Sequence, residues 1–331
     1  MFNVIQHKIC ENNYHKKIQQ LKNRKNAINV IFLSFENEKW GYQSLYDLLS
    51  KDERFNPIVL VGITSYKHKE KNVQFDLERN YNFFKSRGIN VDYIYKDNKY
   101  LDLQSFSPDI VFYEQQWGLP KKLRPQVVSK YALTYYCAYS FQLFNYESDY
   151  MQKFHSFLYK FFTDSICNIE RYESYHTGNS KNCVAVGYSK LDEYLENKVF
   201  DINKYWKEPK KFKIIYSPHH SFTAKGLRMG TFKENGQFIL NLAKNNPDTT
   251  WIFKPHPRLK TALVKNNIMT ETEIEEYYKS WENVGRVYTQ GDYINIFKID
   301  GQSEKMELVA AFTLEESKKS CIIYKSINNE I

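Results

Sequence analysis

Cysteine is scarce in this chain and never paired. Cys10, Cys137, Cys167, Cys183 and Cys321 are odd in number, far apart and without a C-x-x-C spacing. That pattern argues against a disulfide framework and a structural zinc site, and it fits a reducing cytosol. Other signatures are missing too. There is no G-x-x-x-x-G-K-S/T, which disfavours a P-loop NTPase, and no G-x-G-x-x-G after the first predicted strand, which disfavours a nicotinamide enzyme. No G-x-S-x-G elbow and no H-E-x-x-H pair occur, against a serine hydrolase of that type and a zincin. No apolar run of about eighteen residues could span a bilayer, and no signal-peptide pattern opens the sequence. Any membrane contact is therefore expected to be peripheral. Internal repeats and low-complexity tracts are also absent.

What is present describes a globular, basic protein. Hydrophobic residues make up 42% and aromatic residues 17%, with 27 Tyr and 23 Phe to fill a core. A length of 331 residues suggests two domains. Lys and Arg number 47 against 38 Asp and Glu, a net charge of +9. Such a surface favours phosphorylated substrates or an anionic membrane face. The basic residues are scattered apart from Lys207-Glu-Pro-Lys-Lys-Phe-Lys213, and no base-reading signature accompanies them, so nucleic acid is not expected.

The fold expectation is α/β, from strands that alternate with helices. Residues 1–27 read as a basic helical segment. A Rossmann-like domain follows over 28–192, with predicted strands at 28–35, 57–62, 90–95, 109–113, 132–137 and 182–186. Predicted helices lie at 43–50, 74–87, 148–162 and 169–177. A charged linker is expected at 193–211. A second Rossmann-like domain covers 212–331, with strands at 212–216, 249–253 and 284–288 and helices at 233–245 and 270–282.

Two short stretches carry the chemistry. Tyr216-Ser-Pro-His-His-Ser221 and Trp251-Ile-Phe-Lys-Pro-His-Pro-Arg258 each place histidine where an apolar strand stops. Ligands of open α/β sheets bind beyond the carboxyl ends of the strands. His219, His220, Lys254, His256 and Arg258 are thus expected to face one crevice. A single histidine at a strand end is more often only a satisfied polar group. Pro255 and Pro257, however, fix the backbone on both sides of His256 and set its direction. Two permanent cations beside imidazoles suit an anion, with groups able to move protons near neutral pH. Transfer from a nucleotide diphosphate would use such a set, because negative charge must be neutralised as the bond breaks. Ser221 and Thr231 are candidates for hydrogen bonds to phosphate oxygens. No metal-ligand cluster is expected, although a divalent cation held by the diphosphate would leave little trace.

Several blocks in order resemble the CDP-glycerol glycerophosphotransferase family of teichoic acid and capsule polymer synthesis. They are Phe32-Leu-Ser-Phe-Glu-Asn-Glu-Lys-Trp40, Pro108-Asp-Ile-Val-Phe-Tyr-Glu-Gln-Gln116, Gly187-Tyr-Ser-Lys-Leu-Asp192, Ser217-Pro-His-His-Ser221, Leu227-Arg-Met-Gly-Thr-Phe232, Phe253-Lys-Pro-His-Pro-Arg-Leu259 and Asp292-Tyr-Ile-Asn-Ile-Phe297. The resemblance implies a GT-B-like fold of two facing Rossmann-like domains, with Trp40, Gln115 and Gln116 on the acceptor side of the cleft. It implies a CDP-polyol donor, most simply CDP-glycerol, and a lipid-linked or polymeric glycan acceptor. CMP would leave, and the work would be done in the cytoplasm, peripherally on the inner face of a bacterial membrane. His256 is the best match to the family's donor-phosphate histidine, with His219 and His220 in a subgroup motif.

Two departures stand out. The family's Trp-His-Gly-Thr-Pro block corresponds here to Thr134-Tyr-Tyr-Cys-Ala-Tyr139, which has no histidine. After Phe297 the family's Asp-x-x-Ser turn and final helix are missing, so the C-terminal domain is expected to be incomplete. Phe312-Thr-Leu-Glu315 and Ile322-Ile-Tyr324 look like remnants of the pattern. Two alternatives remain open: a glycosyltransferase using a UDP- or GDP-sugar, and an inactive nucleotide-binding remnant.

Overall fold

The apolar run that begins at Ile28 becomes the middle of a parallel sheet. Residues without a polar face belong where helices cover both sides, and the last five residues of this strand are buried. The computed structural model describes residues 2–66, 73–140, 153–175, 181–192, 203–222, 230–288, 306–314 and 319–326. The chain divides into two units, Met1–Glu196 and Asn197–Ile331.

In the N-terminal unit the order is α1 (Phe2–Lys22), β1 (Ile28–Ser34), α2 (Gln43–Ser50), β2 (Phe55–Val61), α3 (Val73–Lys85) and β3 (Val91–Tyr93). A hairpin of β4 (Tyr95–Lys96) and β5 (Lys99–Tyr100) follows. Then come β6 (Ile110–Tyr113), α4 (Pro125–Val128), β7 (Leu133–Cys137), α5 (Lys153–Ser156), β8 (Lys160–Thr163), α6 (Ile166–Tyr175) and β9 (Cys183–Ala185). The main sheet runs β3-β2-β1-β6-β7-β8-β9, and every pairing in it is parallel. Strand order reverses between β1 and β6, the switch point of a doubly wound sheet.

The basic helix α1 docks at the opposite, amino end of the strands. Tyr14 is buried and donates to Phe157 O at 2.6 Å, with its hydroxyl also against Thr134. Buried Asp109 sits at the start of β6. It accepts from Lys17 at 2.8 Å, from Arg24 and from the backbone of Asn29 at 2.9 Å. Two cations on one buried carboxylate satisfy the charge that burial would otherwise penalise.

Two expectations are corrected in this unit. Among the described residues of the predicted helix at 148–162, Lys153–Ser156 are helical, and residues 160–163 form β8 instead. The reason is period: Phe161 and Thr163 are buried while Lys160 and Phe162 are less so, an alternation of two. Residues 148–152 lie outside the described set. The predicted strand at 90–95 stops at Tyr93, because the chain turns through Asp97 and Asn98 at positive φ (51° and 58°) into the β4–β5 hairpin. Asp and Asn tolerate that conformation better than most residues. The short helix at Pro125–Val128 carries proline at its first turn, where a missing N–H costs nothing.

The C-terminal unit contains β10 (Phe212–Tyr216), α7 (Phe232–Asn245), β11 (Thr249–Phe253), α8 (Leu259–Lys265), α9 (Glu271–Val284), β12 (Gly285–Val287), β13 (Met306–Leu314) and β14 (Lys319–Ser326). Its sheet runs β12-β11-β10-β14-β13. The first three strands are parallel; β13 and β14 form an antiparallel hairpin that joins β10 at Ile214 opposite Lys325. Of the segments read as remnants of the tail, Phe312 to Leu314 lie in β13 and Ile322 to Tyr324 in β14, while Glu315 lies outside the described set. Helix α8 was not expected from the sequence. Trp251, Phe253, Trp281, Ile239 and Leu263 form the core, with Phe253 and Trp281 stacked at 5.0 Å. Thr270 and Glu273 make a reciprocal capping box that starts α9. Of the expected linker, residues 193–202 lie outside the described set, and Trp206 is buried against Ile252.

Candidate functional site

The site is built by the ends of β10 and β11. Beyond Tyr216 and Phe253 the two chains stay hydrogen-bonded, with Lys254 N donating to Tyr216 O at 2.9 Å and His256 N to Pro218 O at 3.0 Å. Ser217 Oγ donates to Lys254 O at 2.7 Å. These ties carry the register of the sheet into the loops and set the histidines side by side. Ring centroids lie 4.4 Å apart for His219 and His220, 4.1 Å for His220 and His256, and 4.8 Å for His219 and His256.

Each outer imidazole is held the same way. His219 Nδ1 accepts from Ser221 N at 3.3 Å and lies 2.7 Å from Ser221 Oγ. His256 Nδ1 accepts from Arg258 N at 3.1 Å. In both, the amide two residues on occupies Nδ1. A neutral imidazole whose Nδ1 accepts must carry its proton on Nε2. His219 and His256 therefore present Nε2–H donors. His220 differs: its Nδ1 is buried with no partner.

Burial favours the neutral form of all three rings, joined at His220 and His256 by neighbouring charges. Burial lowers the pKa of His219. Burial, then His219 and Arg258, bring His220 down to about 4. Burial, then the two other histidines, Arg258 and Lys254, bring His256 down to about 3. Lys254 is half-buried beside them, and Arg258 is exposed.

The start of α7 closes on the same loop. Gly230 N donates to Ser221 O at 2.8 Å, and a Cβ on Gly230 would fall 2.6 Å from His219 O. Only glycine permits that approach. Thr231 precedes α7; its Oγ1 accepts from Asn235 at 2.9 Å rather than capping the helix. The positive end of a 14-residue helix thus adjoins the histidines.

His219, His220 and His256 each offer a nitrogen, all within 4.8 Å of one another, the spacing of a possible metal site. A metal takes a lone pair, however, and two of the three rings already use Nδ1 on an amide, leaving a proton on the other nitrogen. Neutral N–H donors, two cations and a helix N-terminus match phosphate oxygens better than a cation.

The candidates from the N-terminal sequence lie at the carboxyl ends of β1 and β6. Trp40 is 4% exposed and packs edge-on to Phe84 at 4.8 Å, with its Nε1 donating to Gln43 at 3.1 Å, so its ring is core. Gln115 is buried, accepting from Lys39 at 2.6 Å and donating to Trp117 O at 2.8 Å. Gln116 is half-buried and accepts from Tyr136 at 2.7 Å. The residue beside them, Glu114, carries no mark in the sequence. Glu114 is 1% exposed; one oxygen accepts from Phe35 N at 2.8 Å and the other has no partner among the described residues. Burial raises its pKa to about 8. Nothing in Tyr113-Glu114-Gln115 signals burial, because the residue after a strand is usually exposed. Of the motif Leu227–Phe232, residues 227–229 lie outside the described set, as does Asp292–Phe297. Among the described residues no helix is long and apolar enough to cross a membrane.

No protein-family model matches this chain, and no curated protein does either. Solved structures give distant matches. The S. aureus MnaA–UDP co-structure is 14% identical, with 80% of this chain and 75% of that chain covered and a TM-score of 0.44. UDP-GlcNAc 2-epimerase from Neisseria meningitidis bound to UDP-GlcNAc is 13% identical, with 83% and 75% covered and a TM-score of 0.49. UDP-N-acetylglucosamine 2-epimerase from Rickettsia bellii is 14% identical, with 81% and 71% covered and a TM-score of 0.46. Likeness this distant leaves substrate and chemistry open.

Proposed function

We propose that the C-terminal unit binds the diphosphate of a nucleotide-activated donor and that the chain is a transferase of surface-glycan synthesis. One observation carries this reading: His219, His220 and His256 converge with Lys254 and Arg258 beyond two adjacent parallel strands. Lys254 and Arg258 would neutralise the leaving phosphate, while His219 and His256 donate Nε2–H to its oxygens. Ser221 and Thr231 stand at the same loop. A divalent ion accompanying the donor would be held by the diphosphate itself.

Two donors suit such a site. A UDP- or GDP-sugar would release the nucleoside diphosphate as sugar C1–O breaks. A CDP-polyol would release CMP as P–O breaks, and the ordered motifs around His219 and His256 favour it. The acceptor would be a hydroxyl of a lipid-linked or polymeric glycan, approached at an anionic membrane face by a chain of net charge +9.

A thermal-shift titration against CDP-glycerol, CDP-ribitol, CMP and a set of UDP- and GDP-sugars tests the reading. One class is expected to raise the melting midpoint selectively, and the nucleotide released on adding acceptor then names the bond broken. A chain indifferent to every nucleotide overturns the proposal; a shift without turnover leaves the nucleotide-binding remnant.

A further inference from the structure

The three histidines are close in space but not equivalent in bonding. His219 and His256 are each pinned by a backbone amide at Nδ1, from Ser221 and Arg258 respectively. To pick up a proton, either ring would have to break that contact, since its other nitrogen already carries one. His220 lies between them, 4.4 Å from one ring and 4.1 Å from the other. Its Nδ1 is buried without a partner, and neither ring nitrogen has a hydrogen bond among the described residues. It can take either tautomer, and it can accept a proton without losing a bond.

We propose that His220 is the catalytic base of the transfer, with His219 and His256 as fixed donors that hold the phosphate. The assignment rests on the donor-diphosphate reading of this site. In the step it describes, the acceptor O–H bond breaks and its proton passes to a ring nitrogen of His220. The freed electron pair on oxygen forms the bond to the transferred group. The bond from that group to the nucleotide's phosphate oxygen breaks, and its pair stays on the nucleotide. His220 then returns the proton to water. Atoms and charge balance without an oxidant or a metal.

The surroundings suit a base. Among the described residues, the groups facing His220 are the rings of His219 and His256 and the guanidinium of Arg258, with Lys254 beside His256. All are neutral or cationic, so the ring is unprotonated and ready at neutral pH. Proton transfer to a positioned side chain is worth about 100-fold or more in rate.

The test compares H219Q, H220Q and H256Q in the full chain. H220Q is expected to bind the donor found by titration within about threefold of wild type. Its single-turnover rate should fall about 100-fold or more, and the fall of rate toward acid pH should vanish. H219Q and H256Q should weaken donor binding by about tenfold and keep that acid limb. A rate for H220Q near wild type, or loss of the acid limb in H256Q instead, overturns the assignment.

A second measurement does not need the donor. Ring nitrogen NMR of the wild-type chain should show single Nε2–H tautomers for His219 and His256 and exchanging tautomers for His220. A locked His220 overturns the proposal even if a donor binds. If no nucleotide binds, the donor reading falls and the base role falls with it, while the tautomer result still shows whether His220 alone of the three rings is unpinned. A melting midpoint raised by zinc alone, and abolished equally by all three variants, would make the trio a metal site and end both roles.

Discussion

The two units treat the polar residues at their strand ends in opposite ways. In the C-terminal unit the imidazoles are half-buried and open beside Arg258; in the N-terminal unit Glu114 and Gln115 are sealed. Burial drives both sets to the neutral form, since desolvation penalises charge of either sign. The consequences for stability run in opposite directions. The histidine pKa values are lowered from 6.5, to about 4 for His220 and about 3 for His256. Their unfolded state binds protons first, so stability is present above pH 6.5 and drains as pH falls through those values. The Glu114 pKa is raised from 4.5 to about 8. There the folded state holds a proton that the unfolded state has lost, so stability drains as pH rises from 4.5 through about 8. Acid undermines one unit and alkali the other.

The sharpest way to break this contrast is Glu114→Gln. The amide keeps an oxygen for Phe35 N and has no charge to desolvate. At pH 9 it should stabilise the N-terminal unit by on the order of 5 kcal/mol relative to wild type, with no gain at pH 4. Denaturant melts at the two pH values check it; an equal effect at both would mean that Glu114 is not protonated in the fold. On the other side, replacing Lys254 and Arg258 together by alanine should weaken binding of a nucleotide diphosphate by about 100-fold, from the loss of two charge-assisted contacts. It should also raise the His256 pKa toward its ordinary value, visible by NMR titration. Unchanged affinity would take the cations out of the site. The smallest effect is expected from Gly230→Ala. Its new Cβ must push against the backbone at His219 O, so donor affinity should drop by about tenfold and the melting midpoint should fall with it. Loss of fold instead would make Gly230 a structural residue only.

Much of this was legible in the sequence, for reasons that differ by residue. Helix α2 and the strands β10 and β11 fall where their apolar patterns place them, because buried periodicity is written in the residues themselves. The convergence of His219, His220 and His256 was also readable, since two adjacent parallel strands must end together. The strand β8 was not, because the aromatic run Phe154 to Phe162 suits a helix as well as a strand until its neighbours in the sheet are known. The sealing of Trp40 and Glu114 depends on what packs over them, and no local pattern records that. The pinning of two imidazoles by Ser221 and Arg258 is a backbone fact, and the sequence shows only that such residues follow at the right distance.

The docking of α1 has a consequence for synthesis. Tyr14 is held by Thr134, 120 residues further along the chain. At a ribosome rate of about 5–20 residues per second, that partner emerges roughly ten seconds after the helix does. Through that interval Cys10 and Tyr14, buried in the finished protein, have nothing to cover them. Helix α1 is made well before β7 and can dock only after it, so a chaperone that shields nascent helices has that interval in which to hold it.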